Sequence, residues 1–147
     1  MSTEPVIILA EDDAGHAGLI MNSLKRTGMT YDILHFEDGK ETLNFLFRRG
    51  EGPHREDGVS YILLLDIRMP EVDGIEVMRQ VRQDKELSKI PTIMVTTTED
   101  PVEMNKCWQL GCNNYFVKPV GFEQFFQAMA QLGQYIHEVI IPEISNQ

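Results

Sequence analysis

Glu11, Asp12 and Asp13 stand directly after the apolar run Val6-Ile7-Ile8-Leu9-Ala10, and Asp66 directly after Tyr61-Ile62-Leu63-Leu64-Leu65. Thr96 closes the run that opens at Thr92, and Lys118 follows Tyr115-Phe116-Val117. If these four runs are parallel strands, their ends share one edge of a sheet. Three or four carboxylates would then converge beside a hydroxyl and an ammonium. Clustered carboxylates repel one another unless a cation joins them. Oxygen ligands without His or Cys suit a hard ion, and Mg2+ takes one or two carboxylates together with water and a substrate phosphate. A lysine opposite supplies a point charge for phosphate. A carboxylate can itself be the nucleophile and form an acyl phosphate. In-line phosphoryl transfer then needs chiefly positioning and charge neutralisation. The pattern predicts a site that accepts a phosphoryl group on an aspartate.

Such a site exists only if the elements around it place the strand ends together. The four apolar runs do not alternate with polar residues, which is how strands buried on both faces of a parallel sheet read. A weaker run, Tyr31-Asp32-Ile33-Leu34-His35-Phe36, has the look of an edge strand. Between the runs the apolar period becomes helical. A first helix is expected over about 14–27, closed by Gly28, with a weak first turn because Gly15 and Gly18 are poor helix formers. A second starts at the capping pair Asp38 and Glu41, with Leu43, Leu46 and Phe47 inward. Asp73 can cap a third, with Ile75, Met78 and Val81 as its stripe, and Asp100 with Pro101 opens a fourth. A fifth runs over about 121–138, with Phe122, Phe125, Phe126, Met129 and Leu132 inside. Strand and helix alternate five times, which predicts an α/β fold: a doubly wound, five-stranded parallel sheet of flavodoxin-like order 2-1-3-4-5, with five helices on both faces. The polar stretch 48–58 reads as a long, mobile loop.

The chain has 147 residues and carries a net charge of −10, with 42% hydrophobic and 24% charged residues. That length suits one domain, expected to span 1–147 with its core over about 5–138. A net charge of −10 with no basic stripe argues against a nucleic-acid partner. The opening Met1-Ser2-Thr3-Glu4-Pro5 has no positive charge ahead of the first apolar run, and no apolar stretch approaches the roughly 20 residues of a membrane span. A cytoplasmic protein without membrane contact is expected. Cys107 and Cys112 do not form a CxxC pair and read as reduced thiols, while His16, His35, His54 and His137 read as solvated or packing residues.

In order along the chain, Ile8-Leu9-Ala10-Glu11-Asp12-Asp13, Leu64-Leu65-Asp66-Ile67-Arg68-Met69-Pro70, Asp73-Gly74, Val95-Thr96-Thr97 and Tyr115-Phe116-Val117-Lys118-Pro119 together resemble the response-regulator receiver family of two-component systems. The resemblance covers nearly the whole length. It implies that Asp66 is the phosphoacceptor and that Mg2+ is held by Asp12, Asp66, the main-chain carbonyl of Arg68 and, through water, Glu11. It implies that Lys118 contacts the phosphoryl group, that Pro119 follows a cis peptide bond, and that Thr96 and Tyr115 re-orient on phosphorylation. Asp13 lies one place beyond the acidic pair and reads as a helix cap. Arg68 and Thr98 occupy the positions that tune acyl-phosphate hydrolysis in relatives, and a bulky cationic Arg68 predicts slow self-dephosphorylation. The loop over 48–58 and the apolar extension over 139–147 exceed a minimal receiver and resemble the stand-alone regulators of bacterial phytochrome-type histidine kinases. Such a tail should pack on its own domain or on a second subunit, giving a homodimer.

The resemblance implies a phosphoacceptor in a phosphorelay rather than an enzyme with a separate substrate. The donor would be a histidine kinase, and the output a downstream protein or phosphotransfer protein. Rival classes fit less well. A haloacid-dehalogenase-type phosphatase needs a second Asp two places after the nucleophile, where Arg68 stands. A flavodoxin-like carrier needs a hydroxyl-rich phosphate loop where Glu11, Asp12 and Asp13 stand. A binding scaffold without phosphorylation would lack part of the acidic and lysine set, all of which is present.

Overall fold

A computed structural model describes residues 4–145. Five strands form one parallel sheet of order β2-β1-β3-β4-β5: β1 (Val6–Ala10), β2 (Ile33–Phe36), β3 (Tyr61–Leu65), β4 (Thr92–Thr96) and β5 (Asn114–Val117). The connecting helices are α1 (Ala14–Arg26), α2 (Gly39–Phe47), α3 (Gly74–Gln83) and α4 (Pro101–Gln109), and α5 (Phe122–Tyr135) follows β5. The doubly wound arrangement expected from the alternating pattern is therefore present. Successive strand side chains point to opposite faces. Ile7, Leu9, Ile62, Leu64, Ile93 and Val95 pack under α1 and α5. Ile8, Ala10, Leu63, Leu65 and Met94 pack under α2, α3 and α4.

Local chemistry sets most helix starts. The side chains of Asp13, Asp38, Asp73 and Asp100 each accept a backbone N–H from the first turn that follows. The Asp13 cap offsets the poor propensity of Gly15, so α1 begins at Ala14. Its far end is closed by Gly28 at φ +89°, a backbone conformation that glycine reaches without steric cost.

Four side-chain or loop expectations are corrected. In α2 Phe45 is the fully buried aromatic, while Phe47 packs against the same core only in part and carries the guanidinium of Arg49 over its ring. Phe122 is 66% exposed, because it opens α5 at the sheet edge rather than over the core. The loop over 48–58 is strapped down rather than loose. Arg55 donates to the carbonyl of Leu46 and to Glu86, Arg48 pairs with Asp57, and His54 bonds the carbonyls of Arg49 and Gly50. No peptide bond among the described residues is cis, so Pro119 follows a trans bond.

The fifth helix does not stop near 138. It widens into a π-helical turn over Ile136–Ile140 and continues as a short α6 (Ile141–Ser145). Pro142 has no N–H and its ring displaces the carbonyl one turn back, which favours a local change of helix pitch. The π turn keeps Ile136 and Ile140 fully buried in the α1–α5 face, and Ile141 and Ile144 pack partly against it. The extension thus lies on its own domain, while residues 146–147, like 1–3, fall outside the described part.

Candidate functional site

Register brings the chemistry together. Ala10 lies opposite Leu65, and the Asp66 N–H donates to the Ala10 carbonyl at 3.1 Å, so Glu11 and Asp66 emerge side by side. Val117 lies opposite Thr96, and the Lys118 N–H donates to the Thr96 carbonyl at 2.8 Å. Lys118 therefore leaves the same edge two strands away. Gly74, at the start of α3, presses on the backbone here: a Cβ would sit 2.0 Å from the Asp66 carbonyl oxygen. Only glycine permits that approach, which fixes Asp66 from behind.

The Lys118 ammonium, almost wholly buried, donates to Glu11 and, at 3.1 Å, to Asp66 Oδ2. Its third contact is His16 Nδ1 at 3.2 Å. The other oxygen, Asp66 Oδ1, is buried without a hydrogen-bond partner among the described residues. A buried carboxylate oxygen left unpaired costs about 1–3 kcal/mol or more, so the atom calls for a cation or water. Glu11, Asp12 and Asp66 each offer an oxygen within 4.8 Å of the others, with Asp12 exposed to solvent. All are hard oxygen donors, as Mg2+ requires. The donor set and the orphaned oxygen fit a divalent ion.

Burial pushes the Glu11 carboxyl up to about 7, against the lowering effect of the Lys118 hydrogen bond, and the Asp66 charge raises it further. Around these groups lies a shallow cleft of about 200 Å3, lined also by Asp13, Arg68 and Thr97.

The remaining expected residues lie close by, with some departures. Thr96 is fully buried, but its hydroxyl faces Thr98, 3.4 Å from both the Thr98 hydroxyl and its N–H. Tyr115 is already turned inward, its hydroxyl donating to the Thr98 carbonyl at 2.7 Å. A re-orientation of Thr96 and Tyr115 would therefore start from an inward Tyr115. Burial raises the Tyr115 phenol, so it remains a neutral donor. The Arg68 guanidinium does not cover Asp66: it pairs with Glu103 on α4, although its own side chain is 65% exposed.

His16 is the residue that sequence reading missed. The signal lay in the cap: Asp13 accepts the His16 N–H at 3.0 Å, which fixes the first turn of α1 at the carboxyl edge of the sheet. His35, also read as bland, bonds the Glu11 carbonyl at 2.7 Å and steadies the strand end.

Fold and site together define a doubly wound α/β protein with an acidic, divalent-cation-type centre at the carboxyl edge of its sheet. The family model for the response regulator receiver domain matches residues 7–130, and the chain belongs to that family. The probable methanogenesis regulatory protein FilR2 of Methanothrix harundinacea is 35% identical over 130 residues, covering 88% of this chain and 82% of that protein. The Mn2+-bound form of response regulator Rcp1, a protein of Synechocystis, superposes with a TM-score of 0.82 at 25% identity, over 92% of this chain and 96% of that one. The bacteriophytochrome response regulator RtBRR is 37% identical over 89% of this chain and 79% of its own, with a TM-score of 0.74. Receiver domains are phosphoacceptors rather than classical enzymes, and bind Mg2+ at the acidic pocket. No helix among the described residues is long and apolar enough to cross a membrane.

Proposed function

We propose that this chain is a stand-alone cytoplasmic response regulator, one receiver domain over 1–147, which takes a phosphoryl group onto Asp66 from a phosphohistidine of a sensor histidine kinase. An Asp66 oxygen forms the new bond to phosphorus, the phosphorus–nitrogen bond breaks, and the imidazole leaves with the electron pair. Mg2+, when bound, would neutralise the charge on the transferring oxygens. Asp12, Asp66 and the Arg68 carbonyl would hold it, with Glu11 acting through water. The observation that carries this reading is the unpartnered, buried Asp66 Oδ1 beside Glu11, Asp12 and Lys118.

The phosphoryl group brings about −1.5 to −2 of charge, which Lys118 and the Thr96 hydroxyl would meet. Thr96 must then leave Thr98, whose carbonyl holds Tyr115. The α4–β5–α5 face shifts between two packings as a result, and a downstream protein or phosphotransfer protein reads it. Likeness to the bacteriophytochrome response regulator RtBRR favours a phytochrome-type kinase as donor.

Acetyl phosphate with MgCl2 should label the wild-type chain, and EDTA or Asp66→Asn should abolish the acid-labile product. A screen against purified histidine kinases then identifies the donor. Label persisting in Asp66→Asn would overturn the assignment. Light scattering of the full chain and of one lacking 139–147 reads out whether the extension also serves a homodimer.

A further inference from the structure

The geometry points to His16 as a positioning residue that holds the Lys118 ammonium over Asp66, an inference that rests on Asp66 being the acceptor. An ammonium has three N–H donors and no acceptor. Two of the three go to Glu11 and Asp66, and the third has His16 Nδ1 at 3.2 Å. Because Lys118 can only donate, that nitrogen must carry a lone pair, so the imidazole proton sits on Nε2. His16 is a neutral acceptor here, not a second cation.

Main chain and ring are each fixed. The His16 backbone N–H is taken by the Asp13 cap, and the ring lies against Phe125 of α5, with centroids 5.8 Å apart and planes 34° apart. Nδ1 is thereby aimed from α1 at Lys118, which directly follows β5. Without it the third N–H loses its acceptor on α1, and the ammonium is free to swing within the carboxylate cluster. Its charge is then no longer fixed at the point beside Asp66 Oδ2 where an incoming phosphoryl group needs it. When Asp66 is phosphorylated, the ammonium can re-aim from Asp66 Oδ2 to a phosphoryl oxygen while His16 retains it in the cleft. His16 itself touches neither the described carboxylate cluster nor the reacting atoms.

The test compares wild type with His16→Ala, His16→Asn and His16→Gln. Asparagine can present its oxygen where Nδ1 sits; glutamine is a bond too long. With acetyl phosphate and MgCl2, His16→Ala should lower the maximal phosphorylation rate roughly ten-fold, the scale of one hydrogen bond to a charged group. His16→Asn should recover most of that rate and His16→Gln should not. Mg2+ affinity, read calorimetrically, should stay as in wild type. A second reading needs no chemistry: in the metal-free protein, the 15N resonance of His16 Nδ1 should move toward that of a free neutral imidazole in Lys118→Met. Wild type labelled normally, with His16→Ala labelled equally fast, would overturn this inference alone. So would an Nδ1 resonance indifferent to Lys118→Met. Wild type that takes no label would overturn the phosphoacceptor reading instead.

Discussion

Replacing Lys118 with methionine keeps the apolar stem and removes the cation that pairs with Glu11 and Asp66. The side chains of Lys118 and Glu11 are each 1% exposed and that of Asp66 is 8% exposed, so the change leaves two buried carboxylates facing each other. Removing one partner of a buried ion pair costs about 3–5 kcal/mol. Part of this is relieved because Glu11, already raised to about 7 by burial, takes up a proton in the variant. The lower end, about 3 kcal/mol, is therefore expected near neutral pH in EDTA, a fall in Tm of roughly 10 °C. Divalent ion should reverse the order of effects. Native-state binding at a hundred-fold excess over Kd stabilises by about 2.7 kcal/mol. In wild type the ammonium beside Glu11 and Asp66 repels the ion, so Lys118→Met should gain more from MgCl2 than wild type gains. Urea unfolding followed by circular dichroism, with EDTA and with MgCl2, gives both numbers. An unchanged midpoint in EDTA would refute the closed cluster. A Mg2+ gain no larger than that of wild type would refute the idea that lysine and metal share one site.

Three further outcomes follow from particular contacts. Burial holds the Glu11 pKa in the folded chain near 7 against an ordinary 4.5, so the folded state keeps its proton more tightly than the unfolded one. Stability in EDTA should fall as pH rises from about 4.5 through about 7, and Glu11→Gln should flatten that slope in a pH series of urea unfolding curves. Ile140, fully buried in the π turn, should cost about 3 kcal/mol when replaced by alanine; a Tm within a degree or so of wild type would mean the extension is undocked in solution. Glu103→Gln frees the Arg68 guanidinium from its ion pair at a cost to stability below about 1 kcal/mol. The freed Arg68 should then shield the acyl phosphate, so the label on Asp66 should last longer in Glu103→Gln than in wild type, and adding Arg68→Asn should remove that gain; equal decay in Glu103→Gln and wild type would remove the shielding role.

The sheet was legible from the chain because its strands are buried on both faces. Runs such as Ile62-Leu63-Leu64-Leu65, all fully buried, have no solvent face to interrupt them with polar residues. The caps were legible for the same local reason: Asp13, Asp38, Asp73 and Asp100 bind amides two or three residues away. Residues whose fate depends on what another element brings were harder to read. Phe45 and Phe47 are both aromatic on one short helix, and the rings of Phe36 and Tyr61, 5.1 and 5.5 Å from Phe45, decide which is the more deeply buried. The loop over 48–58 looked loose because its polar residues have no partner in sequence, yet Arg55 finds Glu86 thirty-one residues away.

Residue types and order alone determined that carboxylates, a hydroxyl and a lysine would end neighbouring strands, because alternating strands and helices admit few topologies. Tertiary structure decided how those groups pair. His16 meets Lys118 across 102 positions, Arg68 meets Glu103 across 35, and Tyr115 is already inward. Strand register follows from short-range pattern, whereas the partner of a long polar side chain is set by whichever donor or acceptor the packed helices leave within reach.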